Sequence, residues 1–237
     1  HPEVISALQE AIEKGMSIIN GLHDEIHPEF SKYLVDDNQW IWDTRVPKFI
    51  PKIGSAKAAD LNNKRVLMIG TDMAAGKMTV GLELYSYLRD KKINTGFVAT
   101  GQVGITVTGN GIPLDAYKLD HACGAVETAV VEQKDKDIII VEGQGSILHP
   151  GSTATLPLMR GTCPTHMILC HIASALGFAT AVQHAAISTS VFANARQFRL
   201  EELYGLTNSS RFANCFVGLQ TPKFSHKQPA RIGINVF

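Results

Sequence analysis

Little in this sequence points outward. Its 22 lysines and arginines balance 22 aspartates and glutamates, a neutrality that gives no argument for nucleic acid or an anionic membrane surface as a partner, and neither is expected. No apolar run approaches the roughly 18 residues that a membrane-spanning helix requires. No basic-then-apolar segment opens the chain as a secretory signal would. Cysteine is sparse, and Cys123, Cys163, Cys170 and Cys215 have no disulfide-framework spacing, which makes a reducing cytoplasm the expected setting. Internal repeats, low-complexity segments and any Ser-His-Asp order or nucleophile elbow are also missing. The first residue is His1 rather than methionine and lies directly in a helical pattern, so sequence is expected to precede it.

What is present is an apolar framework. The 237 residues, 45% of them hydrophobic, suffice for one large α/β domain or for one domain and part of a second. The organising stretch runs from Arg65 to Val80. Val66 to Ile69 read as a buried strand ending at Gly70, a loop of small residues closes on Gly76-Lys77, and an amphipathic helix follows. Strand, glycine-rich loop and helix converge backbone N–H groups and a positive helix end on one spot, which suits a phosphate or pyrophosphate. The expected contacts are Gly70, Thr71, Asp72, Ala74, Ala75, Gly76, Lys77, Met78 and Thr79. Lys77 would place a point charge on the outer phosphate oxygens, and Thr79 or Asp72 could reach a magnesium ion. The loop departs from the common phosphate-binding pattern in two respects. Five residues, not four, separate Gly70 from Gly76, and Met78 rather than a hydroxyl residue follows Lys77.

Elsewhere the pattern alternates helix and strand. Residues 2–14 predict a helix, Met16 to His23 a strand with a Gly-Leu-His tip, Pro28 the start of a short helix, and Gln39 to Trp42 a second strand. Residues 1–46 therefore read as the latter part of a Rossmann-like unit, and residues 47–63, with Pro47, Pro51 and Gly54, as a linker. From residue 64 to 237 the expectation is an α/β domain with a mostly parallel sheet and helices on both faces. Its further strands are Asn94 to Ala99, Asp137 to Val141, Thr165 to Cys170 and Ala230 to Val236. A glycine-rich loop is expected through Gly104, Gly109 and Gly111, then helices from Pro113 to about Lys134, Ala173 to Ala186 and Arg196 to Tyr204. Ligands bind outside the carboxyl ends of such strands, so the tips Gly70–Lys77, Thr100–Gln102, Glu142–Ser146 and His171 should meet.

Glu142 follows a run of β-branched residues and is a candidate general base, or a magnesium ligand of a bound nucleotide. Asp72, inside the loop, would serve a metal or an amine, or hold the loop's own backbone through an Asx-type hydrogen bond. His149 and His171 are further candidate acids or bases. Cys163, His166, Cys170 and His171 lack the paired spacing of a metal site and are read as structural.

The segments Gly21-Leu22-His23, Ile41-Trp42-Asp43-Thr44-Arg45, Gly70 to Thr79, Gly96 to Gln102, Val141 to Ser146 and Leu169-Cys170-His171 together resemble the domain of unknown function 1611 family, over roughly residues 15–171. That resemblance implies a Rossmann-like domain ahead of a three-layer P-loop NTPase-like domain. It also implies the activity of the D-glutamate N-acetyltransferases in the family, with acetyl-CoA as the phosphate-bearing cofactor and an amino acid or other carboxylate as the small substrate. The loop and the Val-Glu-Gly tip are also similar to dethiobiotin synthetase, which implies ATP with magnesium held by Asp72, Thr79 and Glu142. The synthetase carries threonine at the position of Met78, a departure that weighs against that chemistry. A nucleotide-binding module without chemistry is the third reading. In the acetyltransferase reading Glu142, His149 or His171 is the base, and Gln102 joins the loop in binding the cofactor. Self-association is expected through the partial first domain.

Overall fold

The computed structural model describes residues 2–147, 149, 151–171 and 217–219. Two helices and two strands come first: α1 (Pro2–Glu13), β1 (Ile18–Asn20), α2 (His27–Phe30) and β2 (Ile41–Asp43). The strands pair in parallel, and Ile12, Ile26, Phe30 and Ile41 form the core between them and the helices. The Asp43 carboxylate fixes the second turn of this unit. It accepts from Asn20 Nδ2 at 2.7 Å and from the amides of Ile26 and His27 at 3.2 and 2.9 Å, so it serves the start of α2.

The main sheet holds β3 (Lys64–Gly70), β4 (Thr95–Val98), β5 (Ile138–Val141), β6 (His166–Cys170) and β7 (Val217–Leu219) in the order β4-β5-β3-β6-β7. The first four are mutually parallel and β7 runs antiparallel on the edge. Alternation along each strand divides the core. Leu67, Ile69, Ile139, Val141 and Leu169 face α5 (Leu119–Val131) and α6 (Thr155–Thr162). Val66, Met68, Ile138, Ile140 and Ile168 face α3 (Lys77–Asp90), while Ile105 joins them from α4 (Gln102–Thr108). Three layers follow from strands apolar on both faces.

Three differences from the sequence expectations have physical causes. The segment expected to be a glycine-rich loop after residue 102 contains α4. Its weak helix formers are held by Ile105 in the core, by back-bonding of Thr106 and Thr108 hydroxyls to Gln102 and Gly104 carbonyls, both at 2.8 Å, and by Gly109 as a left-handed stop. Helix α6 was not expected. Its Thr155 hydroxyl donates to Gln144 O at 3.0 Å, and Gly161 allows close packing, since a Cβ there would lie 2.4 Å from Cys123 O. The helix expected from Pro113 to about Lys134 is interrupted at its start: a 3-10 turn, Leu114–Ala116, comes first and α5 forms the rest.

Residues 47–63, expected as a linker, lie along α5. Glu127 accepts from the amides of Ser55 and Lys57 at 3.1 and 2.9 Å, and a Cβ at Gly124 would meet Lys52 O at 1.7 Å. The expected elements at 173–186, 196–204 and 230–236 lie outside the described residues.

His166 shows how burial enters stability. The ring is buried beside Thr165, and burial, with Lys64 and Arg65 nearby, lowers its pKa to about 4. An unfolded histidine titrates near 6.5. Above that pH both states are neutral and the folded state keeps its full advantage. As pH falls from about 6.5 to about 4, only the unfolded chain gains the proton, so stability is lost. Denaturant unfolding at pH 7 and pH 4.5 should show the parent chain losing roughly 2–3 kcal/mol more than His166→Gln. Equal losses would contradict the assignment.

Candidate functional site

The site is built where β3 ends. Its neighbours in the sheet are β5 and β6, so the tips carrying Glu142 and His171 flank the loop at 71–76. Short bonds join them. Thr71 N donates to Cys170 O at 3.0 Å, Ile147 N to Gly70 O at 3.0 Å, and Ser146 Oγ to Thr71 O at 2.8 Å. Thr71 Oγ1 lies 3.2 Å from His171 Nδ1.

The loop's backbone is bent by two left-handed residues, Ala74 at φ 56° and Gly76 at φ 87°. The turn at Gly76 leads directly into α3. Among the described residues, the amides of residues 74–79 donate to no backbone carbonyl. They stand as the donors that an anion at a helix start uses.

Lys77 is the first residue of α3, and its ammonium folds back across the loop to donate to Asp72 O at 2.8 Å. Only glycine on both sides leaves room for it. A Cβ at Gly70 would lie 2.9 Å from Lys77 Nζ, and a Cβ at Gly143 would lie 3.0 Å from Lys77 Cδ and 1.8 Å from Met68 O. The residue is buried, only 6% exposed. Burial pulls its pKa below the ordinary lysine range, against the opposing pull of Cys170, Asp72 and Glu142.

Glu142, at the β5 tip, is 4% exposed. Its Oε2 accepts from the amides of Thr100 and Gly101 at 2.8 and 3.2 Å, and Thr100 Oγ1 returns a bond to Glu142 O at 3.0 Å. Gly104 makes space for this carboxylate, since a Cβ there would meet Oε2 at 2.4 Å. Burial raises the Glu142 pKa. Hydrogen bonds from Thr100 and Gly101 and the charge of Lys77 oppose the shift without cancelling it. Desolvating a carboxylate costs several kcal/mol, whereas charge-assisted bonds return about 1.5–3 kcal/mol each. Oε1 makes no hydrogen bond among the described residues.

Between these groups lies a cavity of about 390 Å³ lined by residues 73–79 and 142–145. It gathers Ala74, Ala75, Gly76, Lys77, Met78, Thr79 and Glu142 from the expected set. Gly70 and Thr71, also expected, are outside its lining. Asp72 does not line it, because its carboxylate turns back to accept from Met73 N at 2.7 Å; the loop-holding alternative describes its side chain. Asp72, Thr79 and Glu142 are therefore not gathered into one ligand set, and no metal-ligating cluster of three or more His, Cys, Asp or Glu occurs among the described residues. His149 is exposed, with Nδ1 accepting from Gly151 N at 3.1 Å, and is outside the lining. Gln102 opens α4 and faces Gly21, whose Cβ position lies 3.2 Å from Gln102 Cγ.

Gln144 lines the cavity; sequence reasoning placed it in the Glu142–Ser146 tip but gave it no role of its own. Its Nε2 donates to Thr100 Oγ1 at 3.2 Å. Its place two residues after Glu142 at a strand tip was the available signal. Gly143 and Gly104 were missed because the need for a missing Cβ is a tertiary fact.

A family model described as the P-loop domain of DUF1611, a domain of unknown function, matches residues 52–198, and its Rossmann-like N-terminal counterpart matches residues 1–47. Two curated relatives named D-glutamate N-acetyltransferase, from Pseudoalteromonas sp and Tritonibacter scottomollicae, are 34% and 35% identical over 167 residues. Those alignments take in 69% of this chain and 50% of each relative, so the chain spans about half the length of the curated relatives it matches. A crystal structure of a DUF1611 family protein from Anabaena variabilis is similar with a TM-score of 0.74 and 38% identity, over 80% of this chain and 59% of that one. A P-loop between a Glu-Gly strand tip and a Cys-His tip, a parallel two-stranded unit ahead of it, and these matches agree: the chain belongs to the DUF1611 family.

Proposed function

We propose that the P-loop domain binds the pyrophosphate of coenzyme A and that the protein transfers an acetyl group from acetyl-CoA to the amine of an amino acid such as D-glutamate. The observation that carries this reading is one cavity holding both an anion cradle and a half-tethered carboxylate. The unengaged amides of residues 74–79 and the Lys77 ammonium match a pyrophosphate. The names of the curated relatives support acetyl transfer to an amine.

Acetyl-CoA would supply a thioester, whose carbonyl carbon accepts the amine nitrogen. The chain's part is to anchor, orient and move the two protons that the acceptor nitrogen loses. An ammonium cannot attack until it has lost a proton, and Glu142 Oε1 is the acceptor in reach of the cavity while Oε2 stays tied to Thr100 and Gly101. A pKa raised by burial makes that carboxylate a stronger base than a solvated one. Glu142 takes the ammonium proton first and passes it to solvent; as the C–N bond forms and the C–S bond breaks, it takes the second N–H proton and delivers it to the departing thiolate sulfur, so one proton is released per turnover. His171, tied to the loop through Thr71, is a positioning group in this scheme. Met78 turns no hydroxyl toward a metal at the position where nucleotide-hydrolysing loops place one.

Acetyl-CoA with D-glutamate should give N-acetyl-D-glutamate and free thiol in equal amounts. No acetylated product with amino-acid acceptors would sink the reading. A magnesium-dependent phosphate release from ATP under the same conditions would favour the ligase chemistry of dethiobiotin synthetase instead. Lys77→Ala should weaken coenzyme A binding by about 10- to 100-fold in calorimetry, the worth of a charged hydrogen bond. An unchanged isotherm would remove Lys77 from the cradle.

Glu142→Gln should keep coenzyme A affinity and lower kcat by about 10²- to 10⁴-fold. The parent kcat/KM should rise with pH through a pKa above the ordinary glutamate range, as a base that works deprotonated requires, and the variant should lack that limb. Equal loss of binding and turnover would make Glu142 a scaffold for the loop instead.

A further inference from the structure

Two side-chain oxygens on residues that line the cavity have no part in the phosphate cradle. The first is Glu142 Oε1. Glu142 is 4% exposed, and the amides of Thr100 and Gly101 both go to its other oxygen, Oε2. A carboxylate oxygen carried this deep is costly to leave unmatched. The second belongs to Gln144, which lines the same cavity and is half-buried. Its side chain makes one hydrogen bond among the described residues, from Nε2 to Thr100 Oγ1 at 3.2 Å.

That bond fixes which end of the amide is which. Thr100 has a single hydroxyl hydrogen, and it goes to Glu142 O at 3.0 Å. Toward Gln144 the hydroxyl can only accept, so the amide nitrogen faces Thr100 and the carbonyl Oε1 faces away from it. Neither Gln144 Oε1 nor Glu142 Oε1 is sealed from open space. The two groups also converge. A Cβ built on Gly101 would lie 2.4 Å from Gln144 Nε2, 3.6 Å from Gln144 Cδ and 3.8 Å from Glu142 Oε1. The amide and the free carboxylate oxygen therefore flank one point, which glycine at 101 keeps clear.

Two neighbouring acceptor oxygens call for a partner that brings two hydrogens on one atom. A neutral primary amine does so and keeps its lone pair for a carbonyl carbon. A hydroxyl brings one hydrogen, as does a neutral secondary amine, and each leaves one oxygen unpaired. We infer that Gln144 is a binding and specificity-determining residue: its Oε1 and Glu142 Oε1 together hold the substrate nitrogen, which restricts the reaction to primary amines. The inference rests on the acetyltransferase reading. Once the ammonium has lost its first proton to Glu142 and on to solvent, one N–H lies on each oxygen. As the C–N bond forms and the C–S bond breaks, the N–H on Glu142 is the one that leaves for the sulfur. The N–H on Gln144 stays as the hydrogen of the amide product. A neutral amide suits this place, since a second carboxylate beside Glu142 would compete with it for the proton.

The test uses the full chain as parent, Gln144→Leu and Gly101→Ala, with D-glutamate as substrate and D-2-hydroxyglutarate, which has a hydroxyl in place of the amine, as competitive inhibitor. Gln144→Leu should raise the D-glutamate KM by about 10-fold or more, the loss of one hydrogen bond to a charged group. The inhibition constant of D-2-hydroxyglutarate and the coenzyme A affinity should stay within about twofold, because neither needs Gln144 Oε1. The backbone at Gly101 is extended (φ −129°, ψ 159°) and accepts alanine, whose Cβ would push the Gln144 amide aside. Gly101→Ala should show the same selective loss. If Gln144→Leu leaves the D-glutamate KM unchanged, or weakens D-glutamate, D-2-hydroxyglutarate and coenzyme A by a common factor, the inference is overturned while the acetyltransferase reading stands. If the parent chain transfers no acetyl group, that reading fails, and calorimetry with the same two ligands decides the amine site. D-glutamate binding that Gln144→Leu weakens by about 10-fold more than D-2-hydroxyglutarate binding upholds it; equal weakening, or no D-glutamate binding to the parent, overturns it. Should Gln144→Leu not fold, Gly101→Ala carries the same comparison.

Discussion

A buried ammonium has to end on an oxygen, and Lys77 ends on the carbonyl of Asp72. The architecture around β3 depends on that requirement. The lysine reaches its partner by passing between Gly70 and Gly143, and neither position has room for a Cβ. Its charge lies near Glu142 and Cys170, on the strands that flank β3 on either side. The bond to Asp72 is worth about 1.5–3 kcal/mol, and it keeps the loop folded over its own cation. A phosphate in the cavity would offer that ammonium a charged oxygen in place of a neutral carbonyl, which is the stronger partner. The loop is therefore organised around a cation that already has an acceptor and can exchange it for a better one.

Glu142 completes the balance by taking its restraint from β4. Two amides at the β4 tip hold Oε2, and the same tip leads into α4, whose Gly104 makes the necessary space. The carboxylate is thus fixed by backbone, while one oxygen remains for chemistry. Farther along that tip, Gln102 meets the first module, where Arg45 ties Gly21 and Asp115 together. Loop and carboxylate form one connected strip across three strand tips and a helix start. In the proposed reaction the amides hold the donor's phosphates and Glu142 moves the protons.

Much of this was legible in the residues because it rests on local patterns. An apolar run ending in glycine, then Gly-Lys and an amphipathic stretch, describes β3, the loop and α3 without help from the rest of the chain. Ile138–Val141 announces a strand buried on both faces, and Glu142 after it is conspicuous for its charge. What was not legible depends on neighbours distant in sequence. Helix α4 contains Val103, Thr106, Val107 and Thr108, whose intrinsic preference is poor, and tertiary packing of Ile105 overrides it. Gln102 reads as a companion of the phosphate loop, yet it faces Gly21 because α4 turns it toward the first module. His149 looked equivalent to His171, but only His171 is drawn to the loop, through Thr71. The strap over α5 was disguised by its prolines, since nothing local tells that Glu127 will collect its amides.

The central claim is that the loop at residues 71–79 grips the pyrophosphate of coenzyme A. Competition calorimetry tests it most directly, titrating coenzyme A into the chain alone and into the chain saturated with inorganic pyrophosphate, with pantetheine, which lacks the phosphates, as the comparison. Pyrophosphate should displace coenzyme A, and pantetheine should leave its isotherm nearly unaltered. A coenzyme A isotherm untouched by saturating pyrophosphate would contradict the claim.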